Sequence, residues 1–172
     1  MREVWMGTLA ETPLGEIWVA NSAAGLVAVD LWGDRERFVR LVARLTGTQP
    51  LMAAERVTAV TTQLDEYFRQ QRQDFDLPLD WSVMTPFQEA ALRAVAAVGY
   101  GRVSTYAQIA QHIGKPKAVR AVGRANGSNP IPIIIPCHRI LGSDGKLHGY
   151  GAPGGLETKA WLLRLEGYET GF

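Results

Sequence analysis

The sequence predicts an α+β (α/β) protein. A small N-terminal mixed domain with an antiparallel sheet and helices precedes a mostly helical C-terminal domain containing a helix-turn-helix. Three observations carry this reading. Short apolar runs separated by turn residues fill the first third, and apolar residues at helical spacing dominate afterwards. Between them lies an extended, Pro-interrupted stretch, Asp74-Phe-Asp-Leu-Pro-Leu-Asp80, which places the domains at 1–80 and 81–172.

Glu16 to Ala20 and Leu26 to Trp32 read as strands joined through Asn21-Ser-Ala-Ala-Gly25, a hairpin pattern. Phe38, Leu41, Val42 and Leu45 fit one helical face that Gly47 and Pro50 close. A longer helix follows from about Ala53 to Gln71. Thr85-Pro-Phe-Gln88 is a capping box with Pro at the first helical position, so it opens a helix that runs to Val98. Ser104 or Thr105 caps a short helix through His112, Gly114-Lys-Pro116 breaks it, and a second helix runs from Lys117 to about Ala125. This pair is the helix-turn-helix, at about 104–125. Asn126-Gly-Ser-Asn-Pro130 turns the chain into a buried extended run, Pro130-Ile-Pro-Ile-Ile-Ile-Pro136. Gly149-Tyr-Gly-Ala-Pro-Gly-Gly155 is a loop of small residues, and Leu156 to Glu166 is the last helix, stopped by Gly167.

Nearly half of the 172 residues are apolar and a fifth are charged, the balance of a soluble globular protein, and no run reaches the length of a membrane span. The net charge of +1 hides an asymmetry: −4 over residues 1–80 and +5 over 81–172. Seven basic residues but only one acid, Asp144, fall within 99–151. That points to an anionic partner, with nucleic acid foremost, or to a solvated basic face. The second predicted helix is thin, with Ala118, Ala121, Gly123 and Ala125, while Arg120 and Arg124 stand one turn apart. Such a helix either packs tightly in a core or enters a groove of DNA.

Cys137 is the only cysteine, set in Ile-Pro-Cys-His-Arg. A disulfide needs a second cysteine and a zinc site needs more ligands than the chain clusters. No Cys or His occurs in the first 111 residues, so no zinc is expected there. A free thiol without an export signal points to the cytoplasm. The commonest fate of a free cysteine is that of a small buried hydrophobe. Here the flanking Pro136 and His138-Arg139 favour a nucleophile with an adjacent base, and Glu166 is a candidate to orient that histidine.

Pro136-Cys-His-Arg139, Arg120-Ala-Val-Gly123 and Asn129-Pro130 together resemble the O6-alkylguanine-DNA alkyltransferases. The resemblance extends through Thr85 to Gln88, Tyr100-Gly101, Thr105-Tyr106, Gly154 to Leu156 and Lys159 to Glu166, with weaker matches at Gln63 to Phe68 and Thr12 to Gly15. It covers nearly the whole chain. It implies irreversible, single-turnover transfer of an alkyl group from O6 of guanine, and also O4 of thymine, in duplex DNA after the nucleotide is flipped out. Cys137 is then the acceptor, His138 its base through a water, Glu166 the holder of that histidine, and Asn129 the brace of the turn. Tyr106 helps rotate the nucleotide and contacts the base, and Arg120 fills the vacated stack. Ala118, Ala121, Gly123 and Arg124 lie with Arg120 along the minor groove. The main-chain carbonyls of Cys137 and Ile140, with Tyr150, line the guanine pocket, and Gly151, Ala152 and Pro153 complete it in a loop longer than in relatives that place a serine there. The resemblance implies a monomer without cofactor, membrane or obligate protein partner. Two rivals remain at this stage: a helix-turn-helix DNA-binding protein with an inert cysteine, and a cysteine hydrolase using Cys137 and His138.

Overall fold

The computed structural model describes residues 2–171. The chain folds as two units that divide between Met84 and Thr85. In the first, β1 (Val4–Leu9), β2 (Ile17–Ser22) and β3 (Gly25–Asp30) run antiparallel to their neighbours. The short β4 (Leu51–Met52) joins parallel to β1, giving the order β3-β2-β1-β4. The predicted hairpin is β2–β3. Strand β1 was not legible in the sequence, because Gly7 interrupts its alternation of inward Val4 and Met6. Gly7 has a packing reason: a Cβ there would lie 2.5 Å from the Val57 side chain.

Helix α1 (Arg35–Thr46) starts where the Asp34 carboxylate accepts from the Arg37 backbone N–H at 3.0 Å and stops at Gly47, φ 73°. It buries Phe38 and Val42 against the sheet, with the Phe38 ring stacked 6.3 Å from that of Trp18. Helix α2 (Thr58–Phe68) packs on β1 after a 3-10 turn, Ala54–Arg56.

The 74–80 stretch packs within the first unit. Leu26 donates its N–H to the Pro78 carbonyl, and Asp80 donates its own to Leu26, both at 2.8 Å, so this segment docks on the outer edge of β3. Proline is tolerated there because an edge position needs no second ladder bond from it. The buried Asp80 carboxylate accepts from the Ser22 hydroxyl (2.6 Å) and the Ser82 N–H (3.1 Å) and pairs with Arg2 at 3.2 Å.

In the second unit the Thr85 side chain and Gln88 form the reciprocal capping box that opens α3 (Pro86–Ala96). A second capping box, Thr105 with Gln108, opens α4 (Tyr106–His112), and α5 (Val119–Gly127) follows. Helix α3 packs on both. Strand β5 (Ser104–Thr105) pairs in parallel with β6 (Ile140–Leu141). That two-residue ladder fixes the start of α4 beside the chain that leaves Cys137. The last helix is α6 (Leu156–Leu165).

The Pro130–Pro136 run is buried but not extended, which corrects the sequence reading. Ile133 has φ 74°, a left-handed conformation that is costly for a β-branched residue, and the Ile135 N–H donates to the Ile131 carbonyl at 2.9 Å. The tight turn sends Ile131, Ile133 and Ile135 all into the interior, and their burial offsets the strain.

Gly25 has φ 136°, and a Cβ on it would overlap the Pro78 carbonyl. Gly25→Ala is therefore expected to lower the unfolding free energy by about 2–4 kcal/mol in urea titration. Thr85→Ala, which removes only a cap, is expected to cost about 1 kcal/mol.

Candidate active site

The strained turn is closed by one side chain. Asn129 donates from Nδ2 to the Ile135 carbonyl and accepts at Oδ1 from the Ile131 N–H, both at 2.9 Å, bracing the two ends of the loop that delivers Cys137. Cys137, His138 and Arg139 then form a single 3-10 turn, all three buried.

His138 reaches Glu166, the residue that caps α6, with Nε2 2.8 Å from Oε1. Arg139 binds the same carboxylate through two parallel bonds, Nε to Oε2 and Nη2 to Oε1, each at 2.9 Å. Its remaining Nη1 donates to the Val98 carbonyl at 2.5 Å. Gly101, at φ 71°, lets the 98–101 loop approach, since a Cβ there would be 3.0 Å from the Glu166 carbonyl. Burial alone would raise the Glu166 carboxyl. The hydrogen bonds and positive charge of its two partners overturn that and hold it at about 2. The His138 ring is lowered by burial, which outweighs Glu166, so it rests neutral. A neutral ring facing an ionised carboxylate carries its proton on Nε2, which leaves Nδ1 as a lone-pair acceptor. Among the described residues, Nδ1 is buried and has no partner. It is a free base on the residue next to the thiol.

Burial also raises the Cys137 thiol, against smaller opposing effects from Asn129, Lys159 and backbone N–H groups. The resting group is the protonated thiol, and reaction requires the proton to leave as the sulfur attacks. Lys159 is fully buried and donates to the Ile140 carbonyl (2.6 Å), the His148 carbonyl (2.9 Å) and the Tyr106 hydroxyl (3.4 Å). Burial lowers it to about 8, so it remains mostly charged at neutral pH. Asn126, also buried, donates from Nδ2 to the Cys137 carbonyl at 3.2 Å.

The remaining predicted residues fall in two places. Tyr106, Ile140, Tyr150 and Ala152 belong to the interior side with the thiol: Ile140 and Ala152 are buried, and among the described residues the Tyr150 hydroxyl is enclosed without a partner. Burial raises both tyrosines, Tyr150 strongly. Pro153 is half-buried, with its carbonyl accepting from the Thr158 hydroxyl, and Gly151 is exposed. Arg120 and Arg124 are exposed on α5, and Ala121 and Gly123 are half-buried on the same helix. Ala118 caps α5 instead of lying within it. Among the described residues, no three His, Cys, Asp or Glu side chains gather as a metal site requires.

Sequence reasoning missed Asn126, Arg139 and Lys159 as members of this cluster. The signal for Lys159 was its position three and four residues before Leu162 and Leu163, on the buried face of α6. The signal for Arg139 was weaker, a charge set between Ile135 and Ile140-Leu141.

The Glu166 carboxyl is lowered in the fold from 4.5 to about 2. The stability it contributes is present above pH 4.5 and is lost as pH falls toward 2. That contribution is on the order of 3 kcal/mol. Urea titrations across this window are expected to show the acid loss in the native protein, and Glu166→Gln is expected to be destabilised at neutral pH with a flatter acid limb.

Residues 6–81 match the ribonuclease-like domain of 6-O-methylguanine DNA methyltransferase, and residues 86–168 match the DNA-binding domain of the same family. The chain is 41% identical over 170 residues to a methylated-DNA–protein-cysteine methyltransferase of Methanosarcina barkeri, covering 92% of this chain and 94% of that one. It is 40% identical to the constitutive one of Bacillus subtilis over 159 residues, covering 92% and 93%. The solved structure of Mycobacterium tuberculosis O6-methylguanine methyltransferase superposes with a TM-score of 0.78 at 34% identity, over 95% of this chain and 92% of that one. That of M. tuberculosis OGT in complex with DNA gives 0.79 at 36%, over 94% and 91%. With both domain models matched in order along its length, the chain belongs to the 6-O-methylguanine DNA methyltransferase family.

Proposed function

We propose that the protein repairs alkylated DNA by direct reversal, moving the alkyl group from O6 of guanine to Sγ of Cys137. The observation that carries this reading is the chain's one thiol, buried in a turn whose next residue is a neutral histidine fixed by Glu166. The Cys137 proton passes to His138 Nδ1 through a water as sulfur attacks the alkyl carbon. The S–C bond forms, the C–O6 bond breaks, and its electron pair stays on the base. The base takes up a proton, so the thiol's hydrogen ends on guanine and no cofactor is consumed. A thioether has no leaving tendency under these conditions, so each molecule acts once.

A buried thiol cannot reach an O6 held inside the base stack. The nucleotide must be turned out of the duplex, at a cost of a few kcal/mol. In this proposal α5 lies in the minor groove, where Ala118, Ala121 and Gly123 permit close approach and Arg124 adds charge. Arg120 enters the gap and offsets part of the unstacking cost. Tyr106 contacts the base, and Asn129 keeps the turn in register. Ile140, Tyr150, Gly151, Ala152 and Pro153 enclose the guanine. O4-alkylthymine is a second substrate of the same pocket. No helix among the described residues is long and apolar enough to cross a membrane. Action as a cytoplasmic monomer fits a single-use acceptor.

Intact-protein mass spectrometry after incubation with a duplex carrying one O6-methylguanine is expected to show a gain of one methyl per chain and no more. Cys137→Ser is expected to show none. His138→Ala is expected to transfer about 10²–10⁴-fold more slowly, and Arg120→Ala about ten- to a hundredfold more slowly, through lost extrusion. Binding to that duplex without any mass gain would replace this reading with a DNA-binding protein whose cysteine is inert.

A further inference from the structure

One buried polar group near the thiol is left without a use. Asn126, in the last turn of α5, is only 4% exposed, a position where an apolar side chain would satisfy the packing. Its amide orientation is fixed: Nδ2 faces the Cys137 carbonyl at 3.2 Å, and the flipped amide would set two oxygens together. Oδ1 is therefore the free end, and among the described residues it is buried with no donor. A buried acceptor left unpaired is costly, and native structures seldom keep one without a purpose.

The neighbouring hydroxyl completes the pattern. The Asn126 side chain lies close enough to the Tyr106 hydroxyl to oppose the rise in pKa that burial causes there. Tyr106 also accepts from Lys159 at 3.4 Å. With the Lys159 ammonium directed at its oxygen, the Tyr106 O–H has its proton to offer elsewhere. A hydroxyl donor and an amide acceptor thus stand side by side next to the Cys137 carbonyl. The complementary edge of a base carries an acceptor beside a donor. Guanine has this edge, a ring nitrogen next to the exocyclic 2-amino group. Alkylthymine offers only an acceptor there, and hypoxanthine lacks the amine.

Building on the repair reading above, we infer that Asn126 is a specificity-determining residue whose Oδ1 accepts a hydrogen bond from the 2-amino group of the extruded O6-alkylguanine. Binding the amine satisfies the orphaned oxygen. A base without the amine leaves that oxygen unpaired in the closed pocket, and discrimination by an unpaired buried group is strong.

The test compares single-turnover transfer from duplexes carrying O6-methylguanine and O6-methylhypoxanthine, which differ only in the 2-amino group. The wild type is expected to prefer the guanine by about tenfold or more. In Asn126→Ala that preference is expected to fall about tenfold, whatever happens to the absolute rate. Asn126→Asp, which keeps an oxygen at the site but loses the bond to Cys137, is expected to be slower on both duplexes while retaining the preference. A wild-type protein indifferent to the amine would overturn the inference without recourse to any variant. So would an Asn126→Ala protein that slows equally on both duplexes, which would make Asn126 only a support for the Cys137 carbonyl. Absence of transfer from either duplex to the wild type would overturn the repair reading itself, and this inference with it.

Discussion

The C-terminal unit is organised around one buried carboxylate. Glu166 has no exposed side-chain surface, yet it stays ionised because Arg139 meets it with two parallel bonds and His138 with a third. Taking an ion out of water costs several kcal/mol, and a buried pair holds only when further hydrogen bonds complete it. Here the guanidinium supplies the charge, which frees the histidine from having to. His138 can remain neutral, and its ring is aimed by the same carboxylate that fixes its tautomer. The end of α6, the 3-10 turn at Cys137 and the loop at Val98 are thereby tied together by one group.

A second constraint acts from the other side of the thiol. Asn129 holds a turn that includes a left-handed isoleucine, and the β5–β6 pair holds the chain that leaves it. Lys159 and Asn126 then occupy the main-chain carbonyls of Ile140 and Cys137 from below. The thiol is consequently buried and protonated at rest. A group in that state reacts slowly with small solutes and fast only with a partner that brings an electrophilic carbon to it while a base waits behind. That behaviour suits a protein that can react only once.

Much of this was legible in the sequence where the signal is local. The Thr85 capping box, a cap at Ser104 or Thr105, the β2–β3 hairpin, the helix-turn-helix and the stops at Gly47 and Gly167 follow from backbone chemistry that a few neighbouring residues determine. Cys137, His138 and Glu166 were readable as a group because a lone thiol next to a histidine is an uncommon pattern, and the family's motifs extend it. What was not legible depended on distant partners. Strand β1 was hidden by Gly7, whose reason is Val57 fifty residues on. The 74–80 stretch read as extended, but nothing local shows that Leu26 will receive it. Arg139 resembled a surface charge until Glu166 and Val98 were placed beside it, and the Pro130–Pro136 run resembled a strand until Asn129 was seen to bend it.

The most direct test of this account is the protonation state of His138, read by ¹⁵N NMR of the selectively labelled ring at neutral pH. A neutral imidazole with the proton on Nε2 and a lone-pair signal at Nδ1 is expected, still neutral as pH falls through the ordinary histidine value of 6.5 and altered in Glu166→Gln. A charged ring at neutral pH, or a neutral one protonated at Nδ1, would leave the thiol without a base and contradict it.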